Sequence, residues 1–161
     1  MNSKARRQVL QMLHNGVYVM TTRDGDGQSC ASVVTWLSQA SFRPPLIMTA
    51  LRKDSRLYQA LAESGIAALH VLAAGQLDVA RKFLTHMRAR GGSFQDEPFQ
   101  DGVTSAPVLR CAPAYLECKL CRRIDDLGDH AVLLMEVVEA QCRREDARAL
   151  SIAETPWKYG G

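Results

Sequence analysis

The sequence predicts a mainly β protein, an antiparallel barrel of about seven strands with peripheral helices, formed by one domain over residues 1–161. Short apolar segments with the length of strands recur along the chain, and turn signals such as Asp24-Gly25-Asp26-Gly27 separate them. Many of these strands follow one another as hairpins, which differs from the alternating β-α pattern of a parallel sheet. A barrel also leaves no strand edge exposed.

Three segments place apolar residues at helical spacing and are therefore predicted to be helices. Asn15-Gly16 ends the first of them, as expected at a helix C-terminus. Asp54 or Ser55 caps the second helix, and Gly65 ends it. The predicted helices are residues 3–14, 55–64 and 76–87.

The other apolar segments predict strands. Pro44-Pro45 breaks the long strand that returns from the first hairpin, because proline cannot donate a backbone hydrogen bond to a sheet. Residues 88–105 contain Gly91-Gly92 and Pro98 and predict the longest loop, a length typical of lids and partner contacts. The tail over residues 155–161 has neither a helical nor a strand period. The predicted strands are residues 17–22, 28–43, 46–51, 66–72, 107–109, 114–124 and 130–140.

Composition and charge exclude several classes of protein. Of the 161 residues, 47% are apolar and 23% are charged, as in ordinary globular proteins rather than disordered ones. The net charge of +3 is small and the basic residues are scattered, so no nucleic-acid partner is expected. No apolar segment approaches the ~18–20 residues of a membrane span, and the N-terminus lacks a secretory signal. We therefore expect a cytoplasmic protein without a membrane partner.

The five cysteines do not form a recognisable metal or redox site. Cys118 and Cys121 have the C-x-x-C spacing, but they fall on a predicted strand, where residues three apart face opposite sides. No second pair of this kind and no clustered histidines complete a zinc ligand set. We therefore expect no metal, and the odd number of cysteines predicts free thiols in a reducing compartment.

The strongest functional signal lies in residues 30–55. Arg52, Lys53 and Ser55 come together where a strand leads into a helix, whose free N–H groups and dipole favour an anion such as phosphate. The preceding strand carries Trp36 among hydroxyl side chains at Ser32, Thr35, Ser38 and Ser41. This pattern indicates a phosphorylated cofactor with a flat aromatic body. The alternatives are a solvated strand end for the two cations, surface positions for some hydroxyls and a core position for the tryptophan.

Four segments, taken in order, resemble the flavin reductase family, whose members are antiparallel Greek-key, FMN-binding split β-barrels. Each segment is weak alone, but their order and spacing are specific together, and the similarity runs nearly from end to end. The segments are residues 35–45 (TWLSQASFRPP), 52–55 (RKDS), 80–83 (ARKF) and 128–130 (GDH). The chain departs from the family at Cys30-Ala31, Ser38 and Leu69-His70-Val71, where relatives commonly have Asn-Gly, Thr and Val-Asn-Val.

The resemblance implies a homodimer that binds one flavin per subunit, FMN or alternatively FAD, and that uses NADH or NADPH as co-substrate. It places His130 near the nicotinamide side of the flavin as the catalytic residue, although a structural strand-end histidine is an equally good interpretation. Arg52, Lys53 and Ser55 would hold the phosphate, and the terminal segment with Tyr159 would either cover the pocket or pack onto the partner subunit. The other implied flavin-binding residues are Val34, Thr35, Trp36, Leu37, Ser38, Ser41, Ala50 and Phe83.

Three functions fit these residues. The first is an NAD(P)H-dependent flavin reductase, which needs positioning rather than a nucleophile and which would supply reduced flavin to a separate monooxygenase. The second is a carrier or sensor that binds FMN, or haem, without turnover. The third is a dimeric interaction protein whose pocket is empty. The chain has no G-x-G-x-x-G fingerprint that would indicate which nicotinamide nucleotide it uses.

Overall fold

Strands form most of the regular structure, and the predicted mainly β class is confirmed. The structure is a computed structural model and describes residues 1–160. Its helices are α1 (Ser3–Gln11), α2 (Arg56–Ser64) and α3 (Leu77–Lys82), with a 3-10 helix (Ile152–Glu154) near the C-terminus. Its strands are β1 (Tyr18–Arg23), β2 (Ser29–Val34), β3 (Leu37–Ser41), β4 (Leu46–Arg52), β5 (Ile66–Val71), β6 (Met87–Arg88), β7 (Ser93–Phe94), β8 (Glu97–Asp101), β9 (Pro107–Leu109), β10 (Ala114–Ile124) and β11 (His130–Cys142).

Eight strands form one antiparallel sheet in the order β3-β4-β11-β10-β5-β1-β2-β6. β3 and β2 hold the first and seventh places in this sheet, yet only Thr35 and Trp36 separate them in sequence. In a flat sheet the two strands would lie about 29 Å apart, whereas the chain from Val34 to Leu37 reaches at most about 11 Å. The sheet therefore curls and brings its two ends together, as the predicted barrel requires.

The corner between β2 and β3 departs from expectation. The sequence predicts a single strand over residues 28–43, and this prediction is wrong because the chain bends at Thr35 and Trp36. The N–H of Leu37 donates to the carbonyl of Thr35 at 3.1 Å, and the N–H of Ala50 donates to the carbonyl of Trp36 at 3.0 Å. The second bond ties the corner to β4. We call Thr35, Trp36 and Ala50 the barrel seam.

Helix α2 lies against the sheet next to this seam, and its ends are those that the sequence predicts. The hydroxyl of Ser55 accepts a hydrogen bond from the N–H of Tyr58 at 3.2 Å, which makes Ser55 the N-cap. Gly65 ends the helix in the left-handed conformation, with φ 68°. Leu57 and Leu61 point into the main core, which fills the space between α2 and the sheet. The packing therefore fixes Ser55 at one end of the seam.

The segment after α3 is where the predictions are least accurate. The predicted helix over residues 76–87 ends at Lys82, because the carbonyl of Phe83 instead accepts a hydrogen bond from the N–H of Val33 at 2.8 Å. The predicted loop over residues 88–105 contains the short strands β7 and β8, which pair with each other, and β8 also pairs with β9. The carboxylate of Glu117 is buried and accepts hydrogen bonds from Val103 and Thr104, which holds the end of this segment.

The remaining elements agree with the predictions, except at helix α1. The other predicted strands are found within one or two residues of their expected ends. Helix α1 ends at Gln11 instead of His14. The apolar residues of the predicted helix, Val9, Leu10 and Leu13, are exposed rather than packed against the barrel. His70 on β5 is fully buried. Its Nε2 accepts a hydrogen bond from the N–H of Leu109, and its Nδ1 lies 3.0 Å from the carbonyl oxygen of Val19.

Candidate functional site

A cavity of about 410 Å³ opens where the barrel seam and α2 meet the C-terminal segment. Its size lies within the range of small-molecule and cofactor pockets. Apolar groups from Val34, Leu57 and Leu84 make up much of its wall, and polar groups are few. We call it the seam cavity. The lining residues are Ser32, Val33, Val34, Thr35, Ala50, Leu51, Arg52, Ser55, Leu57, Leu84, Ile152, Trp157, Lys158 and Tyr159.

The seam cavity brings together six of the residues that the sequence analysis assigned to flavin binding. They are Val34, Thr35, Ala50, Arg52, Ser55 and Tyr159. Thr35 is only 8% exposed, and within residues 1–160 its hydroxyl has no hydrogen-bond partner. A buried hydroxyl without a partner costs about 1–3 kcal/mol, so such groups usually have a partner that the protein alone does not supply. Thr35 therefore places an unsatisfied hydroxyl in the wall of this cavity, behind its surface.

The predicted phosphate corner is only partly assembled. Arg52 lines the seam cavity, and its guanidinium makes two hydrogen bonds to the carboxylate of Asp54, at 3.0 and 2.6 Å. Ser55 lines the cavity as the N-cap of α2, and the first N–H groups of that helix have no intrahelical acceptor. The ammonium of Lys53 instead donates to the carbonyl of Asp125 at 3.1 Å, and this side chain does not line the cavity. Of the predicted phosphate corner, Ser55 at the start of α2 and Arg52 therefore border the seam cavity, and Lys53 does not.

Five other predicted residues lie outside the seam cavity. Leu37, Ser38 and Ser41 belong to β3, the edge strand of the sheet, and Ser38 is exposed. The side chain of Phe83 is fully buried in a second core cluster, at 5.9 Å from Phe94 between ring centroids. The side chain of Trp36 lines a neighbouring cavity instead. The structure places Leu84 rather than Phe83 in the seam cavity, a choice that helical spacing alone could not make.

The neighbouring cavity, of about 580 Å³, contains His130 and shares Arg52 and Tyr159 with the seam cavity. Nδ1 of His130 lies 2.8 Å from the carboxylate of Asp129, and Nε2 lies 3.3 Å from the hydroxyl of Tyr159. The ring of Trp36 packs against both side chains, at 4.7 Å from the imidazole and 5.2 Å from the phenol ring between centroids. We call it the histidine cavity.

The electrostatics of these groups fix their roles as donor and acceptor. The hydrogen bond from His130 lowers the pKa of Asp129, so this carboxylate is ionised at neutral pH and accepts the proton on Nδ1. Burial raises the pKa of Tyr159, so its hydroxyl stays protonated and can donate to Nε2. Asp129 was missed as a separate site residue in the sequence analysis, although it lies in the Gly-Asp-His segment that carried the resemblance. The three side chains form a hydrogen-bonded chain from the exposed Asp129 to the wall of the seam cavity.

The C-terminal segment forms a partition between the two cavities. Tyr159 lines both of them, and Trp157 and Lys158 line the seam cavity. The side-chain amide of Gln11 on α1 donates to the carbonyl of Gly160 at 3.1 Å. The role of α1 in holding this segment has no signal in the sequence, because it depends on a contact across 149 residues.

Neither a metal cluster nor a membrane-spanning helix is found in the part of the chain that the structure describes. No three metal-ligating side chains come together within residues 1–160. No helix in this range is both long and apolar enough to cross a membrane. Cys118 is buried and Cys121 is exposed, and both are free thiols.

This protein is therefore a mainly β barrel, formed by an antiparallel sheet that curls, with a cofactor-sized cavity at the barrel seam. The chain belongs to the family of the flavin reductase like domain, whose model matches residues 10–155.

Three comparisons illustrate this membership. An FMN reductase (NADH), RutF, from Pseudomonas syringae is 31% identical over 140 residues, which cover 84% of this chain and 74% of the relative. An NADH-dependent FAD reductase from Streptomyces globisporus is 33% identical over 136 residues, covering 83% and 73%. The crystal structure of BorF, the flavin reductase component of a bacterial two-component tryptophan halogenase, matches with a TM-score of 0.79 and 30% identity, covering 99% of this chain and 98% of BorF. The chain spans only 22% and 24% of the diflavin flavoproteins from Synechocystis and Nostoc that it also matches.

Proposed function

We propose that this chain is an NAD(P)H-dependent flavin reductase that holds a flavin in the seam cavity. The observation that carries the proposal is a cofactor-sized cavity at the barrel seam, lined by Arg52 and by Ser55 at the start of α2, in a chain of this family. FMN and NADH appear in the name of the RutF relative, and FAD and NADH in that of the Streptomyces relative. Both flavins, and both NADH and NADPH, therefore belong to the proposal.

The residues of the seam cavity fit such a cofactor. Val34, Leu57 and Leu84 offer apolar contact to a flat ring system, and the hydroxyl of Thr35 offers a hydrogen bond to its polar edge. Ser55 and the start of α2 offer backbone and hydroxyl groups to a phosphate, beside the guanidinium of Arg52. When bound, the flavin supplies the hydride-accepting chemistry, and the protein supplies position and electrostatics. Trp36, Leu37, Ser38, Ser41, Lys53 and Phe83 are not part of this binding proposal as side-chain contacts.

His130 acts on the nicotinamide side in this proposal. Asp129 accepts the proton on Nδ1 and thereby fixes the tautomer that leaves Nε2 free as an acceptor. Nε2 then accepts the hydroxyl proton of Tyr159, whose ring borders the seam cavity. This hydrogen-bonded chain orients the imidazole and holds a proton at the hydroxyl of Tyr159. We treat His130 and Tyr159 as positioning residues for the nicotinamide ring.

The proposal includes a homodimer and a partner enzyme. Large apolar side chains are exposed on the outer face of neighbouring strands, at Met48 of β4, Ile124 of β10 and Val132 of β11. An exposed apolar patch of this kind is typical of an interface, which supports a dimer of split barrels. BorF is the flavin reductase component of a two-component halogenase, and the likeness to it supports delivery of reduced flavin to a separate enzyme, such as a monooxygenase. Five free cysteines support a cytoplasmic location.

An anaerobic titration tests this function. The purified protein is mixed with FMN or FAD and then with NADH or NADPH, and the visible absorbance of the oxidised flavin is followed. A reductase bleaches this absorbance at least about a thousandfold faster than buffer alone, since catalysis of this kind lowers the barrier by several kcal/mol. A flavin that binds but is not bleached by either nucleotide would instead support the carrier or sensor, and a haem absorption band would support a haem protein.

A further inference from the structure

Trp36 stands out in the sequence, but its side chain makes no contact in the proposed flavin site. It is the second residue of the corner between β2 and β3, and its carbonyl accepts a hydrogen bond from the N–H of Ala50 at 3.0 Å. Its side chain is partly buried and lines the histidine cavity rather than the seam cavity. The hydrogen-bonded corner therefore fixes the point from which the indole ring enters the histidine cavity.

The indole ring contacts three other groups in this cavity. Its centroid lies 4.7 Å from that of the His130 imidazole and 5.2 Å from that of the Tyr159 ring, with interplanar angles of 39° and 63°. The backbone of Gly160 packs on the same ring, since a Cβ atom at this position would lie 3.4 Å from Cζ2 of Trp36. Gly160 also has a φ of 97°, which side chains other than glycine rarely tolerate. The indole therefore holds the imidazole, the phenol and the C-terminal backbone at once.

The hydrogen bond between His130 and Tyr159 depends on this packing. Its length of 3.3 Å is longer than usual, and Tyr159 is 45% exposed, so water competes for both partners. Aromatic contacts have preferred geometries, and tilted and edge-on pairs stabilise a fixed mutual orientation of the rings. The contacts with the indole therefore keep the imidazole and the phenol within hydrogen-bonding distance.

Helix α1 adds a second attachment for the C-terminal segment. The side-chain amide of Gln11 donates to the carbonyl of Gly160 at 3.1 Å. Gly160 is thus held by α1 through its carbonyl and by the indole through its backbone. Because Gly160 directly follows Tyr159, both attachments limit the movement of the phenol.

We propose that Trp36 is a positioning residue of the reductase reaction, whose indole holds His130 and Tyr159 in the arrangement that receives the nicotinamide ring. The inference rests on the proposed function, because it requires a nicotinamide ring that approaches the flavin from the side of His130. A displacement of about 1 Å in a reacting group can cost about 10²-fold in rate. Loss of the indole therefore lowers the rate of flavin reduction, whereas flavin affinity is preserved because Trp36 does not line the seam cavity.

Anaerobic stopped flow, combined with flavin affinity measured by fluorescence, tests this role. Trp36→Ala is expected to lower the limiting rate of flavin reduction about tenfold and to leave flavin affinity within about twofold. Trp36→Phe keeps an aromatic face and is expected to restore the rate to within about threefold of the unmodified protein. Phe42→Ala is the matched control, because it removes an aromatic side chain that is 84% exposed and lines neither cavity.

Two further variants show whether Trp36 acts through His130. In the background of His130→Ala, the added change Trp36→Ala is expected to lower the rate by less than about twofold, because the imidazole that the indole positions is already absent. Gly160→Ala keeps the indole and forces the C-terminal backbone away from it, and is expected to lower the rate about fivefold. This variant changes a residue outside the barrel, so it tests the same contacts even if Trp36→Ala fails to fold.

The outcomes separate this inference from the proposed function. Equal rates for Trp36→Ala and the unmodified protein would overturn the inference and leave the reductase function intact. A loss of flavin affinity that matches the loss of rate would also overturn it, because the indole would then shape the seam cavity. So would a full tenfold effect of Trp36→Ala in the His130→Ala background. An unmodified protein whose flavin is reduced by neither NADH nor NADPH would overturn the proposed function, and this inference with it.

Discussion

The hydroxyl of Tyr159 lies 3.3 Å from Nε2 of His130 and joins the C-terminal segment to the first residue of β11. The phenol ring also packs edge-on against Trp36, whose ring contacts the same imidazole. Tyr159 therefore forms the wall between the seam cavity and the histidine cavity. A nicotinamide ring that reaches a flavin from the side of His130 must pass or displace this residue.

Tyr159→Phe tests this relationship, because it removes the hydroxyl and keeps the ring. We expect the rate of flavin reduction, measured by anaerobic stopped flow, to fall about fivefold, since one hydrogen bond is worth about 1 kcal/mol. Flavin affinity is expected to stay within about twofold. Tyr58→Phe is the control, because its hydroxyl bonds to Asp125 away from either cavity. Equal rates for Tyr159→Phe and the unmodified protein would remove Tyr159 from the proposal.

Thr35→Val tests the orphan hydroxyl in the seam cavity. The change keeps the shape of the side chain, and we expect the ligand-free protein to be unchanged or about 1 kcal/mol more stable to urea, because an unpartnered polar group is removed. Flavin affinity is expected to fall about fivefold or more, because the variant lacks the hydroxyl that would form a hydrogen bond to the flavin.

Thr49→Val is the matched control for that experiment. The hydroxyl of Thr49 is also buried and unpartnered, but Thr49 does not line the seam cavity. We expect the same effect on stability with no change in flavin affinity. A parallel loss of flavin affinity in both variants would mean that Thr35 acts through the fold and not through contact with the ligand.

Arg52→Ala and Lys53→Ala separate the two cations that the sequence places side by side. Arg52 lines the seam cavity, whereas Lys53 donates to the carbonyl of Asp125. We expect isothermal calorimetry to show a loss of about fivefold in flavin affinity for Arg52→Ala, a modest effect because Asp54 already shares this guanidinium. Lys53→Ala should bind flavin like the unmodified protein. A larger loss for Lys53→Ala than for Arg52→Ala would place the phosphate next to Lys53 instead.

His70 makes the fold sensitive to acid. Burial lowers its pKa to about 4, below the value near 6.5 of an unfolded histidine. As the pH falls below about 6.5, the unfolded chain takes up a proton that the folded protein does not, so folding stability decreases. This group alone is expected to cost about 2 kcal/mol between pH 7 and pH 5.

Urea unfolding at these two pH values measures the effect. His70→Gln is expected to reduce the loss of stability between pH 7 and pH 5, although it is less stable at pH 7. His14→Gln, at an exposed position, should keep the full pH dependence. If His70→Gln and the unmodified protein lose the same stability on acidification, another group is responsible.

Local signals account for the parts of this molecule that the sequence predicts well. Ser55 and Gly65 bound α2 because cap chemistry depends on a few neighbouring residues. The bend at Thr35 and Trp36 has no such signal, since neither glycine nor proline marks it and its cause is the hydrogen bond to β4. The orientation of the Lys53 side chain likewise depends on its hydrogen bond to Asp125, which is 72 residues away in the sequence. The cavity residues from the C-terminal segment were identified only in general terms, because their position depends on contacts with α1 and β11.

The hydrogen bond from Ala50 to Trp36 ties the corner between β2 and β3 to β4 beside the cavity. A cofactor in the seam cavity would contact both Thr35 and Ala50, and it would therefore stabilise the closed barrel at this point. Heating the protein with and without flavin, while amide exchange is followed at residues 35–37 and 50, is expected to show that this join opens first in the empty form and last in the loaded one.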